Sequence, residues 1–360
     1  AAPDALYVAG EFSSASGIPA ANIARWDGTS WSPLGAGIDG PVFALFIDDD
    51  GDLYAGGSFA HAGGVEVSNL ALWDGSGWSD VGGGVSGVGS VVKALASQPT
   101  GLLVAGLFVQ TGAGAAANGL ARWTGTDWVM LGGAPPGIQH DLRAITILNG
   151  TIFVGGVLRF PGTTRPPEAT LARATPLVLS DYAGSANADD ECAGCASVDA
   201  LVTDATDLWV AGAFTRLGQV TLTGSPYEII RLADGTVPVG PGSGSTTPTV
   251  SQGGRIRALA IAGGAVYAGG NFNTMRSVAV ANVAVFDGTA WLPLGPGVSA
   301  PAHALAGWEG SIYAGGEFLS AGALEVNHVA RWDGSAWQPL TGAPVPAHER
   351  TLGNVKARFR

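Results

Sequence analysis

The sequence predicts an all-β fold: a seven-bladed β-propeller with four antiparallel strands per blade. Three observations carry this. An apolar run ending in glycine returns seven times, at start-to-start spacings of 47, 49, 50, 56, 58 and 46 residues. A tryptophan-bearing turn follows it in most copies. No stretch shows a helical period of useful length.

The glycine signature reads LYVAGEF from Leu6, LYAGGSF from Leu53, LLVAGLF from Leu102 and IFVGGVL from Ile152. It continues as LWVAGAF from Leu208, VYAGGNF from Val266 and IYAGGEF from Ile312. Short apolar runs bounded by Gly, Asp and Asn are strands joined by tight turns. This run is strand B of each repeat. The run before it, V-x-A-L, is strand A, seen in VFAL, VKAL, LRAI, VDAL and IRAL. Strand C is the N-I-A-R-W type and strand D the W-x-P-L-G type. Asp-Gly between them supplies the positive φ a hairpin needs. The C–D signature is ARWDGTSW, ALWDGSGW, ARWTGTDW, AVFDGTAW and ARWDGSAW; the fourth and fifth copies have lost it. The chain starts on a strand B, and its last residues, GNVKARFR, read as a strand A with no B after it. The C-terminal strand is therefore expected to complete blade one, making residues 1–360 a single propeller domain without exposed sheet edges.

Composition bounds the function. Hydrophobic residues make up 46% and charged residues 13%, so a large core is available. The net charge of −12, with acids scattered, argues against a nucleic-acid partner. No run of 18 apolar residues suggests a transmembrane segment. The opening AAPDALYVAG suits a mature secreted chain, extracellular or periplasmic. The two cysteines, Cys192 and Cys195, form a C-x-x-C that fits a loop disulfide, half a zinc site or a redox pair. No two further zinc ligands lie nearby and no βαβ unit surrounds them, so a structural disulfide is the expectation.

The Gly-Gly strand and the downstream tryptophans resemble kelch-type propellers. They are more similar still to bacterial extracellular propellers rich in L-Y-x-G-G-x-F and W-D-G-x-x-W. The resemblance covers essentially the whole chain and implies the fold. It does not choose between the binding proteins and oxidases found among such propellers.

Repeated residues have structural readings first. The pairs Trp26/Trp31, Trp73/Trp78, Trp123/Trp128 and Trp332/Trp337 should be cross-strand neighbours. Asn22, Asn69, Asn118, Asn282 and Asn327 should satisfy loop backbone before strand C. The strand B glycines should let neighbouring blades approach closely. The DDDGD run at 48–52 lacks the ligand spacing of a calcium loop. No nucleophile, zinc-protease or phosphate-loop motif appears. No cofactor, metal or catalytic residue is therefore assigned. Four of the five histidines (His61, His140, His328 and His348) fall in or next to predicted loops, so burial is not expected to explain them.

One position departs from the pattern. The x of V-x-A-L is Phe43, Lys93, Arg143, Asp199, Arg257, His303 and Lys356. Both lysines of the chain fall there. A polar residue fixed on an otherwise apolar strand should point into the propeller's channel. With a plain two-residue hairpin, Lys356 would face Glu11 and His303 would face Glu317. Lys93, Arg143 and Arg257 would face Leu107, Val157 and Asn271, with no acid of their own. Lys93, Arg143, Asp199, Arg257, His303 and Lys356 are therefore the candidate ligand-binding residues, in a net positive spot. Long loops at 180–197, 215–228 and 240–255 fall on the same face. The expected function is a binding or scaffold module for an acidic oligosaccharide or a protein loop. A lyase acting on an acidic polysaccharide, using His140, His303, Tyr182 or Tyr227, and a subunit of a surface assembly are the alternatives.

Overall fold

A computed structural model describes residues 5–131, 140–158, 168–174, 179–181, 197–213, 216–217, 220–221, 227–233, 254–340 and 353–356. The fold is an all-β β-propeller. Among the described residues, six sheets have four strands, beginning with Gly353–Lys356, Leu6–Glu11, Ile23–Trp26 and Trp31–Pro33 in hydrogen-bonded order. The next three open on strands A Val42–Ile47, Val91–Gln98 and Asp141–Leu148, and the last two on Arg255–Ala262 and Ala302–Trp308. The count corrects the expectation of seven four-stranded blades. Among the described residues, the fifth repeat contributes a three-stranded sheet of Ser197–Thr203, Asp207–Ala213 and Tyr227–Ala233. The fourth copy, which lacks the W-D-G-x-x-W turn as the fifth does, keeps four strands, the last being Leu179–Asp181. Among the described residues, no helix is long and apolar enough to cross a membrane.

The chain packs as two compact units. The first comprises Ala1–Gly84, Ala260–Asn271 and Val280–Arg360, and the second Val85–Leu259 and Phe272–Ala279. In the first, one core joins Ile23, Leu34, Ile38, Val42, Leu53 and Trp78. In the second, Leu103, Leu120, Leu131, Leu142, Ile145 and Val154 pack together. Each core mixes residues of successive sheets, so the apolar face of one sheet is buried by the next.

The tryptophans pair across the C–D turn as expected. Trp73 lies opposite Trp78 with ring centroids 5.4 Å apart, and Trp123 opposite Trp128 at 5.3 Å. The indole N–H of Trp78 also donates to Leu34 O at 3.0 Å, and that of Trp337 to Leu294 O at 3.0 Å. Each of these two rings thereby ties its sheet to the preceding repeat.

Strand A holds a feature that its composition hides. Val92 pairs with Gly106 and Ala94 with Ala105, which leaves Lys93 without a cross-strand partner position. The same register shift skips Phe43, Arg143, Asp199 and His303. Each x of V-x-A-L in these five strands is thus the extra residue of a β-bulge, a device that re-aims one side chain while the ladder continues. In the first sheet the shift falls between Ala9 and Glu11, and Lys356 lies opposite Ala9 while Glu11 lies opposite Gly353. The expected Lys356–Glu11 alignment is therefore wrong, because a regular hairpin register was assumed.

The bulge also explains strand B. The second glycine of the signature is present in all seven copies, whereas the first is Gly or Ala. A Cβ on Gly57, Gly106, Gly156, Gly212 or Gly316 would stand 2.0–2.1 Å from the carbonyl oxygen two residues before the bulged one. A backbone oxygen cannot rotate away, so this place requires glycine. The first glycine does what was expected of both. A Cβ on Gly155 would strike Val198 of the next sheet at 2.3 Å, and one on Gly269 would meet Leu305 at 3.1 Å.

The turn before strand C is set by a left-handed residue. Asn22, Asn69 and Asn282 have φ of 61–64°, and Asn118 has 43°. Asn22 accepts Phe12 N–H at 3.0 Å and donates to Ile38 O at 2.8 Å, closing the loop. In the seventh repeat the slot belongs to His328, φ 63°, and not to Asn327 as expected. The acidic run at 48–52 is an A–B turn, in which Asp48 Oδ1 accepts the N–H groups of Asp50 and Asp52 at 3.0 and 2.9 Å. Cys192 and Cys195, and most of the three long loops, lie outside the described residues.

Candidate functional site

In the second compact unit the bulges of neighbouring strands A bring charges together. Lys93 Nζ donates to Asp141 Oδ1 at 2.5 Å. Arg143 donates Nε–H and Nη2–H to Asp141 Oδ2 at 3.1 and 3.0 Å, and Nη1–H to Asp199 Oδ1 at 3.1 Å. Arg255 donates Nε–H to Asp199 Oδ2 at 2.7 Å and Nη2–H to Asp199 Oδ1 at 2.8 Å. Ser197 Oγ accepts from Arg255 Nη2 at 2.9 Å and donates to Asp199 Oδ1 at 2.9 Å. The result is a row of alternating sign: Lys93, Asp141, Arg143, Asp199, Arg255. One of its contacts, Arg255 on Asp199, is a bidentate Arg–carboxylate fork, the strongest ion-pair geometry available to side chains, whereas Arg143 meets Asp141 through a single oxygen.

This row corrects the expectation that Lys93 and Arg143 have no acid of their own. Their acids come from strand A, on Asp141 and Asp199, and not from Leu107 or Val157 on strand B. Three cations stand against two carboxylates, so the row carries one net positive charge before Arg257 is added. Arg257, the bulge-equivalent residue of its strand, is exposed. Burial opposes ionisation of Asp141. The hydrogen bond and charge of Lys93, followed by those of Arg143, outweigh it and hold the carboxyl below its ordinary value.

The residues two places before the bulge were missed in the sequence: Asp141, Ser197 and Arg255. Their signal was present as D-L-R, S-V-D and R-I-R, where strand periodicity sets residues i and i+2 on one side.

The first compact unit uses the same position differently. His303, with a 6% exposed side chain, bonds through Nε2 to Oε1 of the half-exposed Glu317 at 2.8 Å. The expected His303–Glu317 pairing therefore holds. The corresponding place in the second repeat is Phe43, and Lys356 contributes its backbone to the first sheet. His140 is buried at 2% exposure, against the expectation that burial would not account for it. Burial pushes its imidazole down to about 4. Tyr182 and the side chain of Tyr227 lie outside the described residues. Among the described residues, no group of three or more His, Cys, Asp or Glu is placed to hold a metal ion.

No family model matches the chain, and no curated protein matches it. Solved structures do. The β-propeller domain of the Trilobed protease from Pyrococcus furiosus, described as having an open velcro topology, is 12% identical with a TM-score of 0.48 over 90% of each chain. Virginiamycin B lyase from Staphylococcus aureus is 14% identical, TM-score 0.46, over 83% of this chain and 84% of that one. The computationally designed Ika8 protein is 14% identical, TM-score 0.44, over 86% and 89%.

Proposed function

We propose that this chain is a secreted, kelch-like binding module, without catalysis, that takes a carboxylate-bearing glycan along the bulged ends of strands A in the second compact unit. One observation carries the reading: most acceptor sites of the row are engaged internally. Asp141 accepts three hydrogen bonds and Asp199 accepts four. What the row offers a ligand is therefore mainly N–H, above all on Arg143. The hydrogen bonds of Arg143 to Asp141 and Asp199 use three of the five donors a guanidinium carries, and its side chain is 31% exposed. An acceptor-rich anion suits such a surface, and a cationic or donor-rich ligand does not. The net positive row within a chain of charge −12 gives such a ligand a local place to dock.

The test is a titration with oligosaccharides of uronic acids and with neutral oligosaccharides of equal length, at low and moderate salt. Binding should be confined to the acidic series and weaken as salt rises. Replacing Arg143 and Arg257 together with Gln should reduce affinity at least about tenfold, as expected for losing charged hydrogen bonds. Acidic oligosaccharides that show no salt-sensitive binding, or binding untouched by the double substitution, would refute the reading.

A further inference from the structure

The arginines of the proposed site are already engaged, and by carboxylates of the chain itself. Asp199 has a side chain only 9% exposed and joins Arg143 and Arg255 through the same oxygen, Oδ1. The two guanidinium nitrogens therefore lie no further apart than bonds of 3.1 and 2.8 Å laid end to end. Two cations held that close repel, and the shared anion is what makes the arrangement tolerable. Asp141 stands between Lys93 and Arg143 in the same way, with Oδ1 on Lys93 and Oδ2 on Arg143. Both acids sit at, or two residues before, a bulge, so the backbone and not the ligand sets their positions.

We infer that Asp141 and Asp199 are built-in ligands of the site, and that they select for polyvalent anions over single small ones. The inference rests on the proposed binding site. A lone carboxylate gains little there. The best fork geometry is taken, and the net charge of the row is small. It meets only the outward N–H groups, one contact at a time. A chain bearing several carboxylates collects such contacts along the row from Lys93 to Arg255, and its second and third contacts are intramolecular events. The two aspartates thus act as positioning residues that lower the affinity for any one anion while keeping the cations ordered for many.

The experiment compares the whole chain with its D199N and D141N variants, using three probes: monomeric galacturonate, inorganic sulfate and a galacturonate oligomer. Binding is read by calorimetry and by the shift in Tm on adding the probe. The unsubstituted chain should bind the oligomer and show no measurable binding of the two small anions at millimolar concentration. D199N removes the internal competitor from two guanidinium groups. It should gain binding of galacturonate and sulfate by about tenfold or more. D141N, at a more exposed site, should show a smaller gain and remains informative if D199N does not fold. No gain of small-anion binding in either variant would mean that the aspartates only orient the cations, and would overturn the inference. Tight binding of monomeric galacturonate by the unsubstituted chain would overturn it too. The outcomes separate the two proposals. Small-anion binding gained by D199N, with no oligomer bound by the unsubstituted chain, removes the glycan reading and keeps the built-in ligands. Oligomer bound by the unsubstituted chain, with no gain in either variant, does the reverse.

Discussion

The two compact units share one backbone device and fill it with different chemistry. In the second unit the bulge presents Lys93, Arg143 and Asp199, which are joined through Asp141 and Arg255 into one charged row. In the first it presents Phe43 and His303, one apolar and one paired locally with Glu317. A bulged residue is released from the ladder, so its side chain contributes little to strand pairing. The contrast teaches where this fold is fixed and where it is free. The facing glycine and the carbonyl it must clear are fixed in both units; the side chain at the bulge has diverged.

The largest expected effect tests that claim directly. Gly106→Ala in the second unit and Gly316→Ala in the first place a methyl 2.0 and 2.1 Å from a backbone carbonyl oxygen. No rotamer change relieves that overlap, so each should cost about 3 kcal/mol or more in urea unfolding. Gly269→Ala meets only side-chain carbons at 3.1–3.3 Å and should stay within about 1 kcal/mol. A large loss for one of the first two and not the other would show that the units do not share the device.

How much of this could be read beforehand follows from the same bulge. Strand alternation, Asp-Gly turns and paired tryptophans are local signals, and the strands and C–D hairpins came out where those signals lie. The polar column from Phe43 to Lys356 was also visible, because polarity breaks an apolar run. Its partners were not. A bulge adds one residue without changing composition, so V-x-A-L looks like uninterrupted strand. Counting across a regular hairpin then assigns Lys93 to Leu107 and Lys356 to Glu11. The row itself joins repeats about 50 residues apart, through Asp141 and Asp199, and nothing local announces such a pairing. The fourth repeat shows the other limit: it lacks the Trp turn and still pairs Leu179–Asp181 with strand C, so that signal marks a C–D hairpin without being needed for one.

A second prediction sharpens the contrast by pH. His140, three residues before the Arg143 bulge, is buried in the second unit; Gly40 and Ala300 take the equivalent places in the first. Burial holds its imidazole near 4 in the folded chain, below the ordinary value of about 6.5. The unfolded chain therefore takes up the proton first. Stability from this residue is complete above about pH 6.5 and declines as pH falls towards 4. The decline should reach a few kcal/mol over that window, and His140→Gln should flatten it when Tm is followed from pH 7 to 4. An unchanged slope would place the acid sensitivity elsewhere. Asp141 contributes only below that window: its depressed carboxyl keeps its stabilising contribution until pH falls under about 4.

The smallest effect concerns the turn before strand C, which the second unit makes with Asn118 and the seventh repeat, in the first unit, with His328. Both residues sit at positive φ, where most side chains crowd the backbone and Asn is better tolerated than the rest. His328 compensates with hydrogen bonds. Its backbone N–H donates to Phe318 O at 3.0 Å, and its Nδ1 lies 3.1 Å from Gly316 O, which a neutral imidazole reaches as donor. Burial holds that imidazole below its ordinary value, so it is neutral at pH 7. His328→Asn trades that side-chain bond for a residue suited to the slot. In Asn22 and Asn69 the side chain accepts the N–H of the phenylalanine ending strand B, at 3.0 and 3.2 Å. The substitution should therefore change stability by no more than about 0.5 kcal/mol in either direction. His328→Ala loses the bond and keeps the strained φ, so it should cost about 1–2 kcal/mol. Asn327→Ala should be close to neutral, because Asn327 is not the left-handed residue. A chain that tolerated His328→Ala but lost stability on Asn327→Ala, measured by chemical unfolding, would put the turn one residue earlier and break the equivalence between the two units at this position.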